Sequence, residues 1–141
     1  MHDLPRQLSI EELAELFEGR TRFVERLARL EDPLGRAREV AAQLSDEEKR
    51  EVLDAHPAIG AKSLSVRSES EQGVDDVPEL DALNQAYEER FGFRFVVFVN
   101  RRPKSAIVSV LRERLERTRE QELTTALDEL VSIAEDRWRR S

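Results

Sequence analysis

One run of residues limits what this chain can fold into. Phe93-Arg94-Phe95-Val96-Val97-Phe98-Val99 is its only strongly β-prone stretch. A lone strand cannot satisfy its own backbone N–H and C=O groups. The run is therefore expected to be a buried extended connector between helices or, failing that, a pairing edge between subunits. Around it the apolar residues recur at three- and four-residue steps, the period of helices that bury one face. The expected fold is all-α, a single-domain helical bundle over residues 1–141 with one short extended segment near 93–99.

Local signals place the helices. Ser9-Ile10-Glu11-Glu12 has the pattern of a capping box, in which the serine accepts from the backbone while Glu12 reaches back. A first helix is expected from there to about residue 18, with Leu13, Leu16 and Phe17 inward and Gly19 as its stop. Thr21 is placed to cap a second helix carrying Phe23, Leu27 and Leu30 and ending before Asp32-Pro33. A third spans roughly 35–44, and Ser45-Asp46-Glu47-Glu48 is a second capping box that opens a fourth, anchored by Val52 and Leu53. After Pro78, the spacing of Leu80, Leu83, Tyr87 and Phe91 predicts a fifth helix, stopped by Gly92. Asn84 falls on nearly the same face, as a satisfied core amide or as a ligand. The next helix, over roughly 104–117, is expected to bury Ile107, Val110, Leu111 and Leu115. The last, over roughly 120–139, carries the stripe Leu123, Leu127, Leu130 and Ala134, and three residues further on that stripe reaches Arg137. A guanidinium there either snorkels from the helix end or needs an anionic partner, from the protein or from a ligand.

Composition narrows the function. A net charge of -7 argues against nucleic acid as the main partner, because phosphate binding needs a positive surface. The absence of cysteine removes disulfides, thiolate nucleophiles and cysteine metal sites together. With two histidines and no HExxH spacing, no metal site is expected. No apolar run approaches the ~20 residues of a membrane span, and the first residues lack the basic and apolar regions of a signal peptide. The chain is expected in the cytoplasm, without a membrane partner.

His2 lies at a terminus, which leaves His56 as the candidate general acid or base near neutral pH. Pro57 disfavours helical backbone at His56, so the fourth helix should end at Ala55 and deliver the imidazole just past its C-terminus. The helix dipole there favours the imidazolium, burial opposes it, and the sequence leaves the balance open. Residues 60–77 are polar and without apolar periodicity. Irregular stretches longer than about 12–15 residues are usually functional or disordered. Ser68 and Glu71 stand three residues apart within it, and Glu71 could orient His56 if the stretch folds back.

In order, the chain reads His56-Pro57-x-Ile59-Gly60, then Ser68-x-x-Glu71-Gln72, then Leu83-Asn84-x-x-Tyr87-x-x-x-Phe91-Gly92-Phe93-x-Phe95-Val96-Val97. Glu113-Arg114-Leu115-Glu116, Glu122-Leu123 and Ile133-Ala134-x-x-Arg137 complete the series. This order resembles the OHCU decarboxylase family, which acts on 2-oxo-4-hydroxy-4-carboxy-5-ureidoimidazoline in urate degradation, and the resemblance runs from the first helix to Arg137. It implies an all-helical homodimer that works without metal or organic cofactor and yields (S)-allantoin. His56 matches the family's catalytic histidine, and Glu71 and Ser68 match the carboxylate and hydroxyl of its SxxEQ motif. Gln72 matches the adjoining amide, and Arg137 the arginine near the family's C-terminus. Pro57, Phe95 and Val97 fall where the family lines its substrate pocket, partly through backbone groups. The sequence departs from the family at Arg94, where a small residue or proline is common, and at Gly73-Val74-Asp75-Asp76, which replaces a small-residue continuation.

The roles that follow are proton transfer for His56, orientation of His56 or the substrate for Glu71, and hydrogen bonds to carbonyl groups for Ser68 and Gln72. Arg137 would pair with substrate oxygens. Three other readings compete: an enzyme for another ureido acid, a helical interaction module with a solvated His56, and a basic-patch nucleic-acid binder built on Arg101, Arg102 and Lys104.

Overall fold

Ser9 and Ser45 start their helices as their spacing requires. In each case the serine hydroxyl accepts from the N–H three residues on, at 3.1 Å, and the glutamate there accepts the serine's own N–H, at 2.9 Å for Glu12 and 3.0 Å for Glu48. The computed structural model describes residues 7–56 and 78–140. Within them the chain forms α1 (Ile10–Leu16), α2 (Arg22–Leu27), α3 (Pro33–Gln43), α4 (Asp46–Ala55), α5 (Pro78–Phe91), α6 (Lys104–Arg114) and α7 (Arg119–Arg140). No strand occurs among the described residues, and the fold is all-α as expected. No helix there is long and apolar enough to cross a membrane.

The 22-residue α7 is the axis of the core, and α1, α3 and α4 all pack on it. Its stripe of Leu123, Leu127, Leu130 and Ala134 is buried, with Ala126, Val131 and Ile133 widening it. Phe17 and Phe23, from either side of the α1–α2 turn, meet edge to face at 5.2 Å between ring centres. Each such fully buried side chain contributes roughly 1.5–3 kcal/mol. Helix α5 packs on α6. Two boundaries and one buried face differ from expectation. Helix α2 ends at Leu27 rather than running on past Leu30, α6 ends at Arg114 rather than near 117, and α6 buries Val108 while Val110 and Leu115 stay half-exposed.

The segment 93–99 is the extended-type connector, and side chains hold its backbone where a neighbouring strand would otherwise be needed. The Arg94 N–H donates to the Asp54 carboxylate at 3.0 Å, the Val96 carbonyl accepts from Arg114 at 2.8 Å, and the Phe98 N–H reaches Glu129 at 3.5 Å. Arg102 closes the end by donating to the carbonyls of Phe98 at 2.6 Å and Val99 at 3.1 Å. The holds fall on residues 94, 96 and 98, the period of an extended chain. Gly92, with φ at +81°, makes the left-handed turn out of α5.

Beneath the connector lies a buried polar cluster. Glu122, wholly buried, accepts from the Tyr87 hydroxyl at 2.6 Å, from Arg114 at 2.7 Å and from Arg117 at 3.1 Å. Arg114 also lies over the Phe95 ring, 4.6 Å from its centre. A carboxylate so deep is tolerable only with this number of donors.

Candidate active site

The site grows from the end of α4. Pro57 follows it, and His56 is the C-cap with extended backbone (φ -80°, ψ 136°), so the helix stops at Ala55 as the proline dictates. The His56 side chain is buried, at 8% exposure, and its Nδ1 has no hydrogen-bond partner among the described residues. The contest between dipole and burial resolves for burial: the imidazole is held down to about 4, first by desolvation, then by the charge of Arg137, with Arg94 adding to the same effect and Glu18 opposing it. At neutral pH the ring is uncharged and able to accept a proton.

Arg137 comes to this place from near the far end of α7. It is 2% exposed, donating through Nη1 to the Leu16 carbonyl at 3.0 Å and pairing through Nη2 with the Glu18 carboxylate at 3.0 Å. The inward arginine thus has the anionic partner that its position on the stripe demands, and the partner belongs to the protein. Glu18 reaches it from a left-handed backbone, φ +64°, a conformation that costs a residue with a Cβ about 1–2 kcal/mol. Gly19, expected as the stop of this helix, lies just past its end and serves a packing purpose as well. A Cβ on it would come within 3.2 Å of the Ala55 Cβ, so its smallness lets the end of α1 lie directly against the end of α4, next to His56.

Arg94 fixes the other side. Its Nη1 donates to the carbonyls of His56 at 2.7 Å and Asp54 at 2.9 Å, and its Nε to Glu88 at 3.2 Å. The last carbonyls of a helix have no partner within it, and here one guanidinium caps two of them while tying α4 to α5 and the connector. Phe95 and Val97, further along the same connector, are buried. Extended backbone alternates its polar edges, which sets the N–H and C=O groups of Phe95 and Val97 opposite to those of residues 94, 96 and 98.

His56 and Arg137, eighty-one residues apart in sequence (137 less 56), therefore share one electrostatic environment, and the connector bearing Phe95 and Val97 is anchored to the His56 backbone. Pro57, Ser68, Glu71 and Gln72 lie outside the described residues. Sequence reasoning missed Glu18, whose signal is faint: an acidic residue just before a helix-stopping glycine. It saw Arg94 only as a departure from a pattern. Among the described residues no group of three or more His, Asp or Glu side chains is arranged to hold a metal ion.

Comparison with known proteins adds a family. The family model described as OHCU decarboxylase matches residues 2–139. The 2-oxo-4-hydroxy-4-carboxy-5-ureidoimidazoline decarboxylase of Haloferax volcanii is 35% identical over 100 residues, covering 64% of this chain and 60% of that protein. The chain thus spans less than two thirds of this curated relative's length. A crystal structure of OHCU decarboxylase in the presence of (S)-allantoin superposes with a TM-score of 0.73 over 89% of this chain and 94% of the other, at 22% identity, which shows the shared fold. A crystal structure of (S)-allantoin synthase superposes with a TM-score of 0.66 at 26% identity, over 91% of this chain and 47% of that one.

Proposed function

Because this chain belongs to the OHCU decarboxylase family, we propose that it converts 2-oxo-4-hydroxy-4-carboxy-5-ureidoimidazoline to (S)-allantoin and CO2 at the site around His56 and Arg137. The observation that carries the reading is a buried, neutral imidazole within the electrostatic reach of a buried guanidinium from a distant part of the chain. The charges that act on His56 among the described residues are Arg137 and Arg94 against Glu18, a net of one positive, which suits a substrate bearing one carboxylate.

The substrate's name describes the chemistry required. Its hydroxyl and carboxylate share one ring carbon, and the adjacent ring carbon bears the ureido group and a C=N bond. When the bond to the carboxylate breaks, CO2 leaves and the electron pair enters the ring toward that C=N, so no separate electron sink is needed. Loss of the hydroxyl proton then makes the new carbonyl, a proton added to one face of the ureido-bearing carbon sets the S configuration, and the ring nitrogen takes a second proton from solvent.

His56 is the group that moves the first proton from oxygen to carbon. In the empty site it is a weak base, because burial and two guanidinium groups disfavour its charge. The arriving carboxylate offsets those positive charges and raises the proton affinity of the ring when the substrate is present to be attacked. Glu71 would reinforce this by pairing with the imidazole or the substrate, while Ser68 and Gln72 hold carbonyl groups. Pro57 and the backbone of Phe95 and Val97 would line the pocket, and Arg137 would bind substrate oxygens. No cofactor takes part. The family also favours a cytoplasmic homodimer, to be checked by light scattering of the purified protein.

The test is stereochemical, since the substrate also loses CO2 unaided to give racemic allantoin. Urate is supplied with uricase and hydroxyisourate hydrolase, and circular dichroism is followed with and without this protein. Rapid appearance of the S enantiomer supports the reading, and racemic product at the unaided rate sinks it.

A further inference from the structure

Glu18 stands out among the residues of the site because its backbone and its side chain make opposite demands. The left-handed conformation at 18 would suit glycine or asparagine. Glutamate gains nothing from such a turn, so the compensation must come from where its carboxylate goes. It goes inward: the side chain is 13% exposed and sits 3.0 Å from the guanidinium of the buried Arg137. Two residues earlier, the Leu16 carbonyl takes the other terminal nitrogen at 3.0 Å. The end of α1 therefore presents two acceptors to two nitrogens of one planar fork, which fixes both the position and the plane of the guanidinium. An ion pair that merely joined α1 to α7 could lie anywhere along their contact. This one lies where both its members act on His56.

We infer that Glu18 is a positioning residue of the active site: from the strained turn after α1, its carboxylate orients Arg137 to meet the substrate beside His56. The inference rests on the decarboxylase reading for what Arg137 binds, but not for the hold of Glu18 on Arg137 and its influence on His56.

The test compares Glu18→Ala, Glu18→Gln and Glu18→Gly with the parent. Three readouts are used: KM and kcat for (S)-allantoin formation, the midpoint of urea unfolding, and the titration of His56 by NMR. The chain has two histidines, so a His2→Gln background leaves the His56 signal alone. Glu18→Ala should raise KM about ten-fold, with kcat changed by less than about three-fold, as expected for loss of a charge-assisted contact that orients a binding group. Glu18→Gln keeps one acceptor oxygen and should recover most of that KM. It should also move the His56 titration to lower pH, because the negative charge that opposes Arg137 and Arg94 is gone. Glu18→Gly should unfold at higher urea than Glu18→Ala, its turn being relaxed, yet keep the poor KM.

An unchanged KM in Glu18→Ala, or an unchanged His56 titration in Glu18→Gln, would overturn the inference and leave Glu18 a structural link only. The titration needs no substrate. If the parent makes no (S)-allantoin, the decarboxylase reading fails, and the Glu18→Gln titration still decides whether Glu18 governs this site.

Discussion

Replacing His56 by glutamine should remove a specific part of the protein's acid sensitivity. The ring titrates near 6.5 when free and is held down to about 4 in the fold, mainly by burial. Between those values the unfolded chain binds more protons than the native one, so His56 stabilises fully only above about pH 6.5, and its contribution is lost as pH falls toward 4. The gap is worth about 3 kcal/mol once fully developed, and about 2 kcal/mol between pH 7 and pH 5. Glu129 works the other way: burial raises its carboxyl above the usual range, which favours the folded form as acid is added in the region just above pH 4.5. The assay is therefore a difference. Urea unfolding of the parent and of His56→Gln is measured from pH 7 to pH 5, and the two curves are subtracted so that Glu129 and the other carboxylates cancel. The parent should lose about 2 kcal/mol more than the variant over that range. Parallel curves would refute the reasoning, since they would mean that His56 titrates in the fold much as it does in the unfolded chain and is not the buried neutral ring on which the mechanism depends.

Two further outcomes follow from the contacts around the connector. Arg114→Met breaks a buried pair and frees the Val96 carbonyl. Because Glu122 keeps Tyr87 and Arg117, the loss should be about 3 kcal/mol, the low end for such pairs, read as a lower urea midpoint at unchanged slope, and a loss under about 1 kcal/mol would contradict it. Arg94→Met uncaps the carbonyls of Asp54 and His56 and removes a positive charge near the ring. It should cost about 1–2 kcal/mol and move the His56 titration upward by NMR, whereas a downward shift would show that the charge balance is misread.

What the sequence made legible was local, and what it hid was long-range. The capping boxes at Ser9 and Ser45, the Thr21 cap and the exit from α5 at Gly92 each depend on residues within one turn, and each forms as read. The lone β-prone run could be resolved into a connector because backbone accounting allows few alternatives. Its actual partners, Asp54, Arg114 and Glu129, come from three different helices, and no pattern near 93–99 names them. The same holds at the site. Proline after His56 fixes where the ring emerges, and periodicity turns Arg137 inward, but neither tells which charge it meets. Gly19 reads in the sequence simply as the stop of α1. The left-handed residue at that end is Glu18, whose carboxylate meets Arg137, and the close approach to Ala55 uses the glycine's lack of a side chain. Arg94, a misfit by family pattern, caps the helix that carries His56. The charge state of His56 followed from burial, a tertiary quantity that composition does not supply.

The central claim is that His56 directs the stereochemistry of a decarboxylation. It is met most directly by following circular dichroism as hydroxyisourate hydrolase feeds the unstable ureidoimidazoline to the parent protein and to His56→Ala, with far-ultraviolet spectra confirming that both are folded. The account predicts a rapid, purely S signal from the parent and slow racemic allantoin, without optical activity, from the variant. An S signal of equal rate from folded His56→Ala would contradict it and place the proton transfer on another group.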